Sequence, residues 1–391
     1  MRKLLAFILL FLCYPTSYTA AEETAEPEII SEAAIVTDSE SGAVLYGKNA
    51  DKKMYPASLT KIATAIYAIE NGDLNDMVTI SKKAAETEGT RVYLEEGEQV
   101  PLKKLIQGML INSGNDAAWG IAEHLDGNIQ TYSENLNRYL EEKAGLKNTH
   151  FINPHGLYDD NHYTTAADLA NLTNYALKNE TFRKIYGTKE LKWTGKSWDT
   201  TIFTHHRMLK GEVPFEGVTG GKTGFVDEAK QTLATSAEND SIKLTAIVLK
   251  ADYKRDIYND TKNLLNYGYS NFETAALSST EVFPSDGKTY TTGGETIPIT
   301  LPKGDYEENI TAKGKLQIKD ETGRIIQSVK LVEDKQDEVV SSQLNNTADE
   351  PEKETTGYYG KAGLTLFLFG VFILVLRKNL KEKARRRRRR V

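Results

Sequence analysis

Apolar positions change period several times along the chain, and each change predicts an element. Ala34-Ile-Val-Thr-Asp and Ala43-Val-Leu-Tyr flank the turn residues Ser39-Glu-Ser-Gly, the pattern of a β-hairpin. Past Pro56, Ile62, Ala65, Ile66 and Ile69 repeat at helical spacing, and Gly72 supplies a stop. Leu102, Leu105, Ile106, Met109 and Leu110 mark a second helix that breaks at Asn112-Ser113-Gly114-Asn115. A third helix is predicted over 116–125 with Asn115 or Asp116 as its cap, and a fourth over 129–145 closed by Gly145. Phe151 to His162 reads as a turn-rich loop, and Thr164 or Thr165 caps a helix over 166–178. From Val213 the period shortens again. Gly217-Val-Thr-Gly-Gly-Lys-Thr-Gly-Phe reads as a glycine-rich strand, and 231–237 and 242–250 form a second hairpin around Glu238-Asn-Asp-Ser. Residues 256–269 return to helix.

Strands at both ends with helices between them predict an α+β domain over residues 30–272. Its terminal strands meet in one antiparallel sheet. Residues 273–333 lack a long helix and alternate short β-rich runs with Gly-containing turns, so a small all-β domain is expected. Residues 334–357 are polar and read as a linker. The uncharged run Ala362–Leu376 is followed by Arg377, Lys378 and an arginine-rich tail. At about 1.5 Å per residue it reaches roughly 22 Å, short of a ~30 Å hydrocarbon core unless Tyr358, Tyr359 and Lys361 extend it. A transmembrane helix over 358–376 is expected, with residues 377–391 as a basic cytoplasmic tail. Residues 1–21 have the basic start, apolar core and small-residue end of a signal peptide. Together these predict a single-pass protein of the cell membrane with an extracytoplasmic domain.

The single cysteine is Cys13, within the signal, so the exported part has no thiol chemistry and no disulfide. Net charge is −6, and the basic residues are concentrated after Leu376, so the exported part is more acidic still. That argues against nucleic acid as a partner.

Three short patterns carry chemistry. Ser58 and Lys61 stand three apart at a helix start, a spacing that puts both side chains on one face. A lysine able to take a serine's proton there describes an activated nucleophile. Ser285-Asp-Gly-Lys288 matches the same rule but sits in a turn. Ser113-Gly-Asn115 falls in the break between two helices, whereas the similar Ser133-Glu-Asn135 lies inside one. Lys222-Thr-Gly224 lies on the glycine-rich strand.

This trio, in this order and on these elements, resembles the serine D-Ala-D-Ala carboxypeptidases, the low-molecular-mass penicillin-binding proteins. Asn153-Pro-His-Gly-Leu and His162-Tyr-Thr-Thr-Ala-Ala-Asp168 add to the resemblance, which spans residues 30–272. It implies a β-lactamase/transpeptidase-like fold, a peptidoglycan stem peptide ending in D-Ala-D-Ala as substrate, and β-lactams as inhibitors. Ser58 would attack the carbonyl between the two D-alanines, and Lys61, kept neutral by burial and by Lys222, would take its proton. Ser113 would relay protons to the leaving amine and Asn115 would hold the peptide backbone. Lys222 and Thr223 would bind the terminal carboxylate, and Gly224 would let the substrate strand approach. The N–H groups of Ser58 and Phe225 would form an oxyanion hole. Arg255 is the nearest candidate for an arginine that assists carboxylate binding.

Other readings fit less well. A class A β-lactamase needs a Glu-x-x-x-Asn for deacylation, and no glutamate between 116 and 221 has an asparagine four residues on. Transpeptidases with these motifs are usually larger and anchored at the N-terminus, and a penicillin sensor needs an internal signalling domain. His155 and His162 read as loop-fixing residues and His205-His206 as a surface pair. Neither a metal nor a cofactor is expected.

Overall fold

A computed structural model of the chain describes residues 26–334. Five antiparallel strands form the central sheet: β1 (Ala33–Asp38), β2 (Val44–Lys48), β3 (Val218–Val226), β4 (Lys230–Glu238) and β5 (Lys243–Ala251), in the order β2-β1-β5-β4-β3. The first and last strands meet as the pattern predicts, with Val36 opposite Ala246. All six residues of β1 are buried, because the sheet is covered on both faces. Ala34 and Val36 point to one face and Ile35 to the other, as a two-residue period requires.

Six of the described helices, with the single turn Lys82–Ala85, cover the Ile35 face or stack behind it: α1 (Thr60–Asn71), α2 (Leu102–Ile111), α3 (Asn115–Asp126), α4 (Ile129–Ala144), α5 (Ala166–Leu177) and α6 (Glu180–Tyr186). α1 buries every residue from Thr60 to Ala68, so it is the core helix around which the others pack. The opposite face is closed by α7 (Lys254–Asn271), through Ile257, Leu264 and Leu265. The result is a layered α+β body with β3, which carries Lys222-Thr-Gly224, at the sheet's edge.

One local expectation is corrected, and two features are added. Neither Asn115 nor Asp116 caps α3. The cap is Gly114, with no side-chain bond, because both polar side chains turn inward. Ser58 precedes the α-helix, on a short 3-10 turn Ala57–Leu59 that runs into α1. Helix α6 and the hairpin Glu190–Thr194 with Asp199–Phe203 carry no clear pattern in the sequence, because only Trp193 and Ile202 of that hairpin are buried.

Residues 272–334 form three small sheets around Leu277, Phe283, Tyr290, Ile299, Leu316 and Ile318. This unit is tied to the body at the β1–β2 hairpin. Thr274 and Thr300 hydroxyls both donate to Asp38 Oδ2 at 2.8 Å, and Arg324 donates to the Leu45 carbonyl at 2.8 Å. The signal-like residues 1–21, the linker from 335 on, the apolar run 358–376 and the basic tail 377–391 lie outside the described residues. Among the described residues no helix is long and apolar enough to cross a membrane.

Candidate active site

The site gathers where the start of α1, the α2–α3 break and the edge strand β3 converge. Pro56 begins the 3-10 turn, and Ala57 follows in the left-handed region with φ +49°. Ser58 is half-buried and Lys61 wholly buried. Their i, i+3 spacing brings Lys61 Nζ to 2.9 Å from Ser58 Oγ. Nζ has two further partners, Asn115 Oδ1 at 2.7 Å and the His155 carbonyl at 2.8 Å.

Both of those oxygens can only accept. A neutral amine has two N–H groups and one lone pair, so with two hydrogens committed the lone pair faces the Ser58 hydroxyl. Burial holds the Lys61 pKa well below the usual lysine range, and the nearby Lys222 ammonium lowers it further, against a smaller opposing effect of Asp116. The geometry and the electrostatics agree on a lysine able to accept the serine proton.

A second pair lies alongside. Ser113 sits in the α2–α3 break with φ +63°, and its Oγ accepts from Lys222 Nζ at 3.0 Å. Lys222 also donates to the Thr223 carbonyl at 2.7 Å. Burial pushes Lys222 down to about 7. Gly224 follows on β3, and a Cβ there would fall 2.8 Å from Ser58 N and 2.4 Å from Thr232 Oγ1. Only a glycine lets the edge strand pass this close to the nucleophile turn. Phe225 comes next, its ring about half exposed. Ser58, Lys61, Asn115, Ser113 and Lys222 are thus brought together, with Thr223, Gly224 and Phe225 on the strand beside them.

This serine–lysine pair, flanked by a serine, an asparagine and a lysine–threonine–glycine strand, is the arrangement of an acylating enzyme. A family model described as D-alanyl-D-alanine carboxypeptidase, peptidase family S11, matches residues 20–253. The D-alanyl-D-alanine carboxypeptidase DacF of Bacillus subtilis is 31% identical over 341 residues, which is 83% of this chain and 86% of that protein. The chain belongs to the D-alanyl-D-alanine carboxypeptidase family. Solved structures agree with the assignment. Penicillin binding protein 5 of Haemophilus influenzae superposes with a TM-score of 0.68 at 28% identity, covering 79% of this chain and 98% of that one. The D-alanyl-D-alanine carboxypeptidase DacD of Francisella tularensis gives 0.67 at 26% identity, covering 79% and 94%.

Several groups of this carboxypeptidase are placed differently from expectation. Asn115 accepts from Lys61 through Oδ1 and donates one Nδ2 hydrogen to the Glu88 carbonyl at 2.6 Å, so it braces Lys61 and keeps its second Nδ2 hydrogen for another acceptor. Arg255 lies in the first turn of α7, largely exposed, and donates to Asp256 at 3.2 Å instead of joining the cluster. His206 is not a surface residue. It is fully buried, with Nε2 2.8 Å from Thr235 Oγ1, and its ring fills the space a side chain on Gly221 would need. His155 does fix its loop: its Nδ1 accepts from Leu157 N at 3.1 Å and its ring stacks on Trp119.

Sequence reasoning missed two supports. Asp116 is wholly buried and accepts from the backbone N–H groups of Val92 and Leu94, tying the α3 start to the preceding loop. The Asn153-Pro-His-Gly-Leu segment acts through a main-chain carbonyl, a contact no side-chain pattern reveals. Gly156 in that segment has φ +85°, and a Cβ there would meet the Ala57 oxygen at 1.8 Å.

Proposed function

We propose that Ser58 is the nucleophile of this serine D-Ala-D-Ala carboxypeptidase and that Lys61 is its base. The enzyme removes the terminal D-alanine from peptidoglycan stem pentapeptides and is inhibited by penicillins. The observation that carries the assignment of roles is the buried Lys61 amine, 2.9 Å from Ser58 Oγ with its other two contacts on obligate acceptors.

In the acylation step Ser58 Oγ attacks the carbonyl between the two D-alanines and its proton passes to Lys61 Nζ. The oxyanion is met by the N–H groups of Ser58 and Phe225. The C–N bond breaks as Ser113 delivers a proton to the leaving amine, with Lys61 as its source. The result is a Ser58 ester and free D-alanine. Water then attacks the ester, Lys61 takes the water's proton and passes it to the serine oxygen, and Ser58 leaves as the hydroxyl with release of the shortened peptide. Lys222 and Thr223 hold the substrate carboxylate, and opening of the Lys222–Ser113 contact leaves the Ser113 hydroxyl for the proton relay.

We also propose that the catalytic unit is exported by residues 1–21 and held at the outer face of the cell membrane by residues 358–376, with the basic tail inside. The support is the sequence alone: an uncharged run followed by clustered Arg and Lys. The purified full-length chain should release D-alanine from a pentapeptide ending in D-Ala-D-Ala and turn over benzylpenicillin only slowly. Rapid β-lactam hydrolysis without D-alanine release refutes the peptidase reading. A chain ending at residue 357 should appear in the soluble fraction, and retention on the membrane would refute the anchor.

A further inference from the structure

Ala57 occupies the left-handed region, which a residue with a Cβ takes only under strain. Its surroundings show what holds it there. The Ala57 carbonyl accepts from the Thr60 N–H and from Thr60 Oγ1, the latter at 2.9 Å. Thr60 Oγ1 lies 2.8 Å from His162 Nε2, and His162 Nδ1 lies 3.2 Å from Ile152 N. A backbone N–H only donates, so Nδ1 is the acceptor and the neutral ring carries its proton on Nε2. Burial pushes His162 down to about 3, which keeps the ring neutral.

Each bond therefore has one direction. Ile152 N–H donates to Nδ1, Nε2–H donates to Thr60 Oγ1, and the Thr60 hydroxyl is left to donate to Ala57. Ala57, Thr60 and His162 are all 2% exposed or less, so bulk water does not compete for these bonds in the native packing. His162 is itself fixed by stacking on Phe151, and Gly156 closes the other side of the Ala57 carbonyl.

The Ala57 carbonyl and the Ser58 N–H belong to one peptide plane and point in opposite directions. Pinning the carbonyl inward aims the N–H outward, to the side where the edge strand passes at Gly224. We propose that His162 and Thr60 are positioning residues for the oxyanion hole: through the Ala57 carbonyl they set the direction of the Ser58 N–H. This rests on the reading of Ser58 as nucleophile and of its N–H as an oxyanion donor.

The two imidazole nitrogens can be tested apart on the full-length chain. In His162→Gln the side-chain amide reaches the place of Nε2 and keeps the donor to Thr60. In His162→Asn it reaches only the place of Nδ1 and loses that donor. With benzylpenicillin, His162→Gln should acylate within about threefold of the parent rate constant, and His162→Asn at least tenfold more slowly. Both should keep the non-covalent dissociation constant within about twofold, because an oxyanion donor acts in the transition state. Equal rates for the two variants, or a loss confined to affinity, would overturn the proposal. Thr60→Ser against Thr60→Val is a separate arm that remains decisive if a residue-162 variant fails to fold. Serine keeps the hydroxyl and should keep the rate, valine should lose it, and matching rates again overturn the proposal. A Ser58→Ala chain that still takes the label defeats the nucleophile reading itself. Label confined to Ser58 without the Gln–Asn contrast defeats the positioning role alone.

Discussion

Two turns in this molecule place a serine three residues before a lysine, and their surroundings differ in every respect that matters. Ser285 and Lys288 face each other across the tip of a hairpin, where Asp286 and Gly287 take left-handed φ values of 50° and 73°. That is the geometry of a two-residue turn, and the lysine points out and pairs with Glu333 at 2.9 Å. Ser58 and Lys61 run from a 3-10 turn into a core helix, and the lysine has no exposure to solvent. Spacing is common to both. What separates them is burial, a second lysine nearby, and two oxygens that use up the amine's hydrogens. On the roles proposed for Ser58 and Lys61, reactivity belongs to the environment of the pair and not to its spacing.

That contrast predicts a descending series of effects. Ser58→Ala should abolish D-alanine release, while Ser285→Ala should leave it unchanged in the same assay; loss in the second variant would erase the distinction. Lys61→Ala should slow acylation by about 10²–10⁴, the range of a lost general base, as measured by the rate of fluorescent penicillin labelling. Gly224→Ala places a methyl 2.8 Å from Ser58 N, so labelling should slow by about tenfold or more with the fold retained, and a parent-like rate would mean that the strand gives way freely.

The pH profile sharpens the comparison further. Lys61 must be neutral to act, so kcat/KM rises with pH through its lowered pKa. Lys222 must be charged to hold a carboxylate, so kcat/KM falls as pH passes through about 7. Lys222→Arg, charged at every accessible pH, should lower the plateau and remove the descending limb. A limb that persists would belong to another group. The smallest effect is expected at the hairpin. Lys288→Ala should change stability by no more than about 0.5 kcal/mol, as surface substitutions do, read from thermal unfolding.

Much of the body was legible because its elements announce themselves locally. α2 runs over Leu102–Ile111, the span its apolar repeat predicts, and Thr165 caps α5 through the Asp168 N–H at 3.0 Å. The three motifs were legible as short patterns on a helix start, an inter-helix break and a strand. The groups that orient them were not, since they are backbone atoms and buried polar side chains. The His155 carbonyl, the left-handed Ala57 and the Asp116 carboxylate have no periodicity. The bracing role of Asn115 has no local signal either, because its partners Lys61 and Glu88 are distant in sequence. His206 was read as exposed for the same reason: its partner Thr235 lies on β4, across the edge strand.

The central claim is that Ser58, and no other serine, forms the covalent intermediate. Mass spectrometry of the full-length chain, trapped with benzylpenicillin and digested, tests it directly. One penicilloyl adduct is predicted, on the peptide containing Ser58, and none on the peptide containing Ser285. An adduct on any other residue, or D-alanine release from a Ser58→Ala chain, would contradict it.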